Sequence, residues 1–168
     1  MKHLFIQQKV LALRDRFKVY DEQEKEKYQV EGKFFSIGKK LRILKGELEL
    51  ARIEQEIFHI LAHYNIHVEG RGDFKIIRKF NLLKPIYRLE GIDWSIEGDF
   101  WAHDYRIIDS SNKEIAQLSK RWISLGDAYD IQINKNEDEL LVLSIVIAID
   151  ADKDNANSVA SASSSSSD

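Results

Sequence analysis

The chain has 168 residues, enough for one domain with a single core, and its 43% hydrophobic and 32% charged content is that of an ordinary globular protein. Lys plus Arg number 25 against 28 Asp plus Glu, so no overall basic field invites nucleic acid as a partner. Cysteine is absent, which excludes disulfides, thiol catalysis and cysteine-bound metal and fits a reducing cytosol.

From Met1 to Lys9 there is no apolar run of signal-peptide length, and no N-x-S/T sequon follows, so a cytoplasmic location is expected. Short runs that alternate apolar and polar residues then dominate: Phe17-Lys18-Val19-Tyr20, Tyr28-Gln29-Val30-Glu31, Tyr64-Asn65-Ile66-His67-Val68 and Tyr129-Asp130-Ile131-Gln132-Ile133. Period two is the mark of a half-buried antiparallel strand. Turn clusters separate the runs, at Asp21-Glu22, Lys45-Gly46, Glu69 to Asp73 and Asp109 to Asn112. About twelve such runs precede residue 135. So many consecutive strands are expected to close on themselves or pack in two layers, because open edges aggregate.

A pattern also recurs at a distance of about 66 residues. Glu31-Gly32-Lys33-Phe34-Phe35 is echoed by Glu97-Gly98-Asp99-Phe100-Trp101, Leu41-Arg42-Ile43 by Tyr105-Arg106-Ile107, and Tyr64-Asn65-Ile66 by Tyr129-Asp130-Ile131. Two halves of this length point to an internally duplicated β-rich domain rather than a solenoid of short repeats. Gly32 and Gly98, each placed before an aromatic pair, read as a bulge or a bend at a barrel corner.

Asn136 to Ile149 breaks the alternation. It offers an N-cap, an acidic first turn and then an unbroken apolar stretch, which predicts a helix over about 137–150. Leu140 to Ile149 is far shorter than the roughly 20 residues that span a bilayer. A helix apolar on every side must be enclosed, and only the strands are available to enclose it. The domain thus covers 1–152, with a Ser-rich tail over 153–168 that is too polar to order itself.

The strings Tyr28-x-Val30-Glu31-Gly32-Lys33-Phe34-Phe35-Ser36-Ile37-Gly38-Lys39-Lys40, Glu97-Gly98-Asp99-Phe100-Trp101-Ala102-His103-Asp104-Tyr105 and Glu137-Asp138-Glu139-Leu140-Leu141-Val142-Leu143 resemble the LURP-one-related family, in family order and over Phe5 to about Asp150. The resemblance implies a fold like that of the tubby C-terminal domain and the phospholipid scramblases. That fold is a closed antiparallel barrel of about twelve strands around a central hydrophobic helix. It implies no catalytic motif, and fold analogy alone is a weak warrant for function.

Several constellations invite chemistry. His59, His63 and His67 stand at i, i+4 and i+8, but on a strand His63 and His67 lie about 13 Å apart, too far to share one ion, and no metal is expected. Asp150 to Asn155 imitates the start of an EF-hand loop without its glycine or its bidentate glutamate, and reads as a solvated acidic helix end. Arg71-Gly72-Asp73 reads as a hairpin turn. No phosphate-binding loop, dinucleotide fingerprint, nucleophile elbow or zinc-protease motif occurs, so neither a cofactor nor catalysis is expected.

The basic segment from Arg71 to Arg88 stands out in a chain of negative net charge. Lys75, Arg78, Lys79, Lys84 and Arg88 are expected to face outward as one surface for anionic phospholipid, at about 1 kcal/mol for each basic residue near such a membrane. The competing expectation is a solvated strand face paired with neighbouring carboxylates. The chain is accordingly read as a monomeric, non-catalytic cytoplasmic binding module. Its partner is a protein or an anionic membrane surface to which it attaches peripherally, and an enzyme with a pocket hidden from sequence is the alternative.

Overall fold

The computed structural model describes residues 1–7, 16–32, 38–83, 85–123, 126–134 and 138–164. In these residues the alternating runs form twelve strands: β1 (Lys2–Gln7), β2 (Arg16–Tyr20), β3 (Glu26–Gly32), β4 (Lys40–Lys45), β5 (Leu48–Glu56), β6 (His63–Val68), β7 (Gly72–Lys79), β8 (Ile86–Glu90), β9 (Trp94–Asp99), β10 (Asp104–Asp109), β11 (Glu114–Ile123) and β12 (Gly126–Ile133). Each strand pairs with the next, and β1 closes against β12 with Leu4 opposite Ile131. The result is a closed antiparallel barrel with no free edge.

One face of the alternation fills the interior. Leu4, Ile6, Val19, Val30, Ile43, Ile53, Ile66 and Ile131 are all buried. Into that interior runs a single helix, α1 (Glu139–Ser164), whose Leu141, Val142, Leu143, Ile145, Ile147 and Ile149 are buried on every side. A helix without an apolar stripe has no surface to show to water, and the barrel encloses it. Burial of these side chains contributes about 1.5–3 kcal/mol each, which makes the helix part of the core rather than an appendage.

The glycines of the repeat stand where the strands approach most closely. Gly32 lies opposite Leu41 and Gly98 opposite Tyr105, at φ of 149° and 134°. A Cβ on Gly98 would sit 2.5 Å from the Asp104 carbonyl oxygen, and one on Gly32 would sit 2.1 Å from that of Lys40. Both positions require glycine.

The helix enters and leaves through opposite mouths. At the entry mouth Glu139 accepts hydrogen bonds from the Tyr28 hydroxyl and the Lys27 ammonium, each at 2.6 Å, while Arg71 pairs with Asp138. At the exit mouth the expected solvated acidic end is instead buried. Asp150 meets His103 Nε2 at 2.8 Å, and Asp152 accepts from the Tyr87 hydroxyl at 2.6 Å and from Arg78 at 3.3 Å. Lys153 reaches the Trp101 carbonyl, and Lys39 donates to the Ala151 carbonyl. The helix therefore does not stop near 150. The barrel mouth satisfies Asp150, Asp152 and Lys153, and the helix runs on to Ser164.

Candidate apolar end and its histidine cluster

An antiparallel barrel has two ends with different connections. At the entry end the turns carry Asp21, Glu22, Glu24, Glu47, Glu69 and Asp93. At the exit end the connections 38–39, 57–62, 80–83 and 100–103 hold no carboxylate among the described residues. They hold apolar side chains instead. Phe58 is 92% exposed, Ile60 fully exposed, Leu82 87% and Leu83 93%, Phe80 is also largely in solvent, and Ile57, Ile86 and Trp101 are about half exposed. Of the other large apolar residues left exposed, Met1 and Leu48 lie at the entry end.

Two neighbouring hairpins present these side chains. The β5–β6 connection carries Ile57, Phe58 and Ile60, and the β7–β8 connection carries Phe80, Leu82 and Leu83. Because β6 pairs with β7, with His63 opposite Ile77, the two connections emerge side by side. The Arg78 amide donates to the Ala62 carbonyl at 2.9 Å and ties their bases together. In the second connection Asn81 folds its carboxamide oxygen onto the Leu83 amide at 2.8 Å, a local turn that turns Leu82 and Leu83 away from the barrel. The exposed apolar side chains are thus concentrated on two adjacent hairpins rather than scattered over the barrel.

At the neck of the first hairpin a carboxylate meets two imidazoles. Glu56 ends β5, His63 begins β6 and His59 folds back from the turn between them. Glu56 Oε2 lies 2.7 Å from His59 Nε2 and 3.4 Å from His63 Nδ1, and the two rings stack with centroids 3.8 Å apart. Glu56 Oε1 accepts from Lys75 at 2.7 Å and from Asn65 at 2.9 Å. The Lys75 hydrogen bond is the largest influence on this carboxyl. With Asn65 and the nearby charges it outweighs desolvation and holds the group down at about 2. A groove of about 570 Å³ lined by Gly38, Lys40, Gln55, Ile57 and Phe58 opens beside the cluster. His67, the third histidine of the sequence pattern, stays outside the cluster and bonds to Asp73 at 2.7 Å.

Of the described basic residues of β7 and β8, Lys75, Lys79 and Arg88 lie on the outer face and Arg78 on the inner one. Arg78 turns into the barrel mouth and pairs with Asp152. Lys75 is taken by Glu56, and Arg88 by Glu90. Lys79 is exposed beside Phe80 and has no ion pair among the described residues, while Lys84 lies outside them. Alternation accounts for Arg78. Phe74, Ile76 and Arg78 share the inner face of β7, so a count of positive residues along the strand overstates what solvent meets.

With fold and site described, known proteins can be set beside the chain. The profile of the LURP-one-related family matches residues 2–150. The chain belongs to this family. The uncharacterized protein YxjI of Bacillus subtilis (strain 168) is 35% identical over 142 residues, which cover 84% of this chain and 87% of that protein. An X-ray structure of a protein from Arabidopsis thaliana is similar at a TM-score of 0.60 with 15% identity, covering 89% of each chain, and that likeness concerns the fold alone.

In this LURP-one-related barrel the exposed residues Phe58, Ile60, Leu82 and Leu83 escape a reading by periodicity, since they belong to connections and alternate with nothing. Glu56 escapes it too, because its histidine partners lie across a hairpin. The available signal was the character of alternate connections along the chain, acidic at one end and apolar at the other. No helix among the described residues is long and apolar enough to cross a membrane.

Proposed function

We propose that the protein is a non-catalytic binding module that docks on anionic lipid bilayers with its exit end, dipping Phe58, Ile60, Leu82 and Leu83 into the boundary between headgroups and acyl chains. The observation that carries this reading is the segregation of exposed apolar side chains to one end, where the described connections hold no carboxylate, while acids crowd the other. A bilayer rewards that polarity twice. It buries apolar tips, and the described connections that would meet its negative surface hold no carboxylate, acids standing instead at the adjoining strand ends, Glu56, Asp99 and Asp104. Lys79, beside Phe80, adds a positive charge at headgroup height.

Flotation with vesicles of phosphatidylcholine alone and of phosphatidylcholine mixed with phosphatidylserine tests the proposal. Binding is expected to both, to be stronger with phosphatidylserine, and to lose only that increment as salt shortens the Debye length from ~10 Å at 0.1 M to ~3 Å at 1 M. Failure to float with either vesicle refutes it. If light scattering then finds dimers, the apolar end is a self-association surface instead.

A further inference from the structure

We propose that Glu56, His59 and His63 form a binding site for a divalent transition-metal ion of the zinc class. The proposal rests on this cluster alone and does not depend on membrane docking. The ligand atoms of the three residues all lie within 4.8 Å of one another, so an ion among them needs only a small adjustment. Two imidazole nitrogens and one carboxylate oxygen are the donor set that zinc accepts, with a fourth position left for water.

The cluster has the features of a prepared site rather than of chance proximity. Glu56 divides its two oxygens: Oε1 is held by Lys75 from β7 and by Asn65 from β6, and Oε2 is left to the imidazoles. Such outer hydrogen bonds fix a ligand's orientation in metal sites. The ammonium of Lys75 repels a cation, which sets the affinity below that of a site without it, yet its hydrogen bond at 2.7 Å holds the carboxylate in place. His59 lies in a turn and can swing. His63 is fixed in the β5–β6 ladder opposite Glu56. An ion would thus bridge both strands at the neck of the hairpin that carries Phe58 and Ile60. The cluster is open to solvent on the His59 side, so an ion can enter without unfolding. No titratable group besides the three ligands and Lys75 is bonded to them among the described residues.

Calorimetric titration of the untagged full chain with zinc chloride, repeated with cobalt(II) to read the ligand-field absorption, tests the proposal. One equivalent is expected to bind, with cobalt bands of tetrahedral intensity. His59→Ala and Glu56→Gln should each abolish that equivalent while circular dichroism stays unchanged. His67→Gln, at the far end of β6, should keep it. Calcium and magnesium, which prefer all-oxygen sites, should not compete. Absence of a bound equivalent overturns the assignment, as does binding that survives in both ligand variants or is lost equally in the His67 variant.

Discussion

Replacing both Phe58 and Leu83 by serine removes two side chains that are 92% and 93% exposed and that no packing contact requires. Full transfer of each from water to hydrocarbon contributes about 1.5–3 kcal/mol, so the pair accounts for about 3–6 kcal/mol of any membrane insertion. Even half of that, about 1.5–3 kcal/mol, weakens vesicle partitioning by roughly 10- to 150-fold at about 1.4 kcal/mol per decade. The fold should not notice, because surface substitutions of this kind change stability by no more than about 0.5 kcal/mol. Flotation over a lipid titration reads the partition coefficient, and a urea melt of the same preparations reads stability. Leu48→Ser serves as the control, since Leu48 is an exposed apolar residue of the entry end. If the double variant partitions like the parent, or Leu48→Ser weakens binding as much, apolar insertion at the exit end is refuted.

Deleting residues 136–168 removes the enclosed helix, whose buried side chains from Leu141 to Ile149 contribute more than the roughly 5–15 kcal/mol that a domain has in hand, so the shortened chain should show no cooperative thermal melt. Gly98→Ala forces a Cβ to 2.5 Å from the Asp104 carbonyl oxygen at a φ of 134°, and should lower stability in a urea melt by at least about 1–3 kcal/mol, whereas Gly46→Ala, whose Cβ would meet nothing within 4 Å, should cost about 1 kcal/mol. Burial alone would raise the Glu139 carboxyl, but the hydrogen bonds from Lys27 and Tyr28 outweigh it and lower the group. A folded-state value below the unfolded one contributes stability above about pH 4.3 that is lost as pH falls through the folded value, so Glu139→Gln should narrow the gap between melting temperatures at pH 7 and pH 3.

The barrel was legible because its two signals are local. Val19, Val30, Ile66 and Ile131 each sit in a run whose neighbours alternate, and Leu141 to Ile149 cannot be amphipathic at any period. The helix end was not legible. Asp150, Asp152 and Lys153 look like solvated residues until the barrel mouth supplies His103, Tyr87 and the Trp101 carbonyl, all at least 47 positions away in the chain. Arg78 misled for the same reason, since its partner is the enclosed helix and not a neighbouring strand.

The candidate site was hidden by a different limit. The expected separation of His63 and His67 keeps them from sharing an ion, and the structure gives His67 a partner of its own in Asp73. What sequence spacing could not supply was Glu56, brought to His59 by a turn and to His63 by strand pairing. The apolar end has a simpler logic that lies open in the sequence once closure is accepted. An even number of antiparallel strands sends successive connections to opposite ends, so connections of one parity share a surface. Of the entry-end connections those at 21–25, 46–47, 69–71 and 91–93 hold acids and that at 110–113 does not, whereas those at 57–62, 80–83 and 100–103 are apolar and hold none. Turns that serve only to reverse the chain have no reason to differ by parity. A difference that follows the barrel axis is what the proposed docking of one end would require.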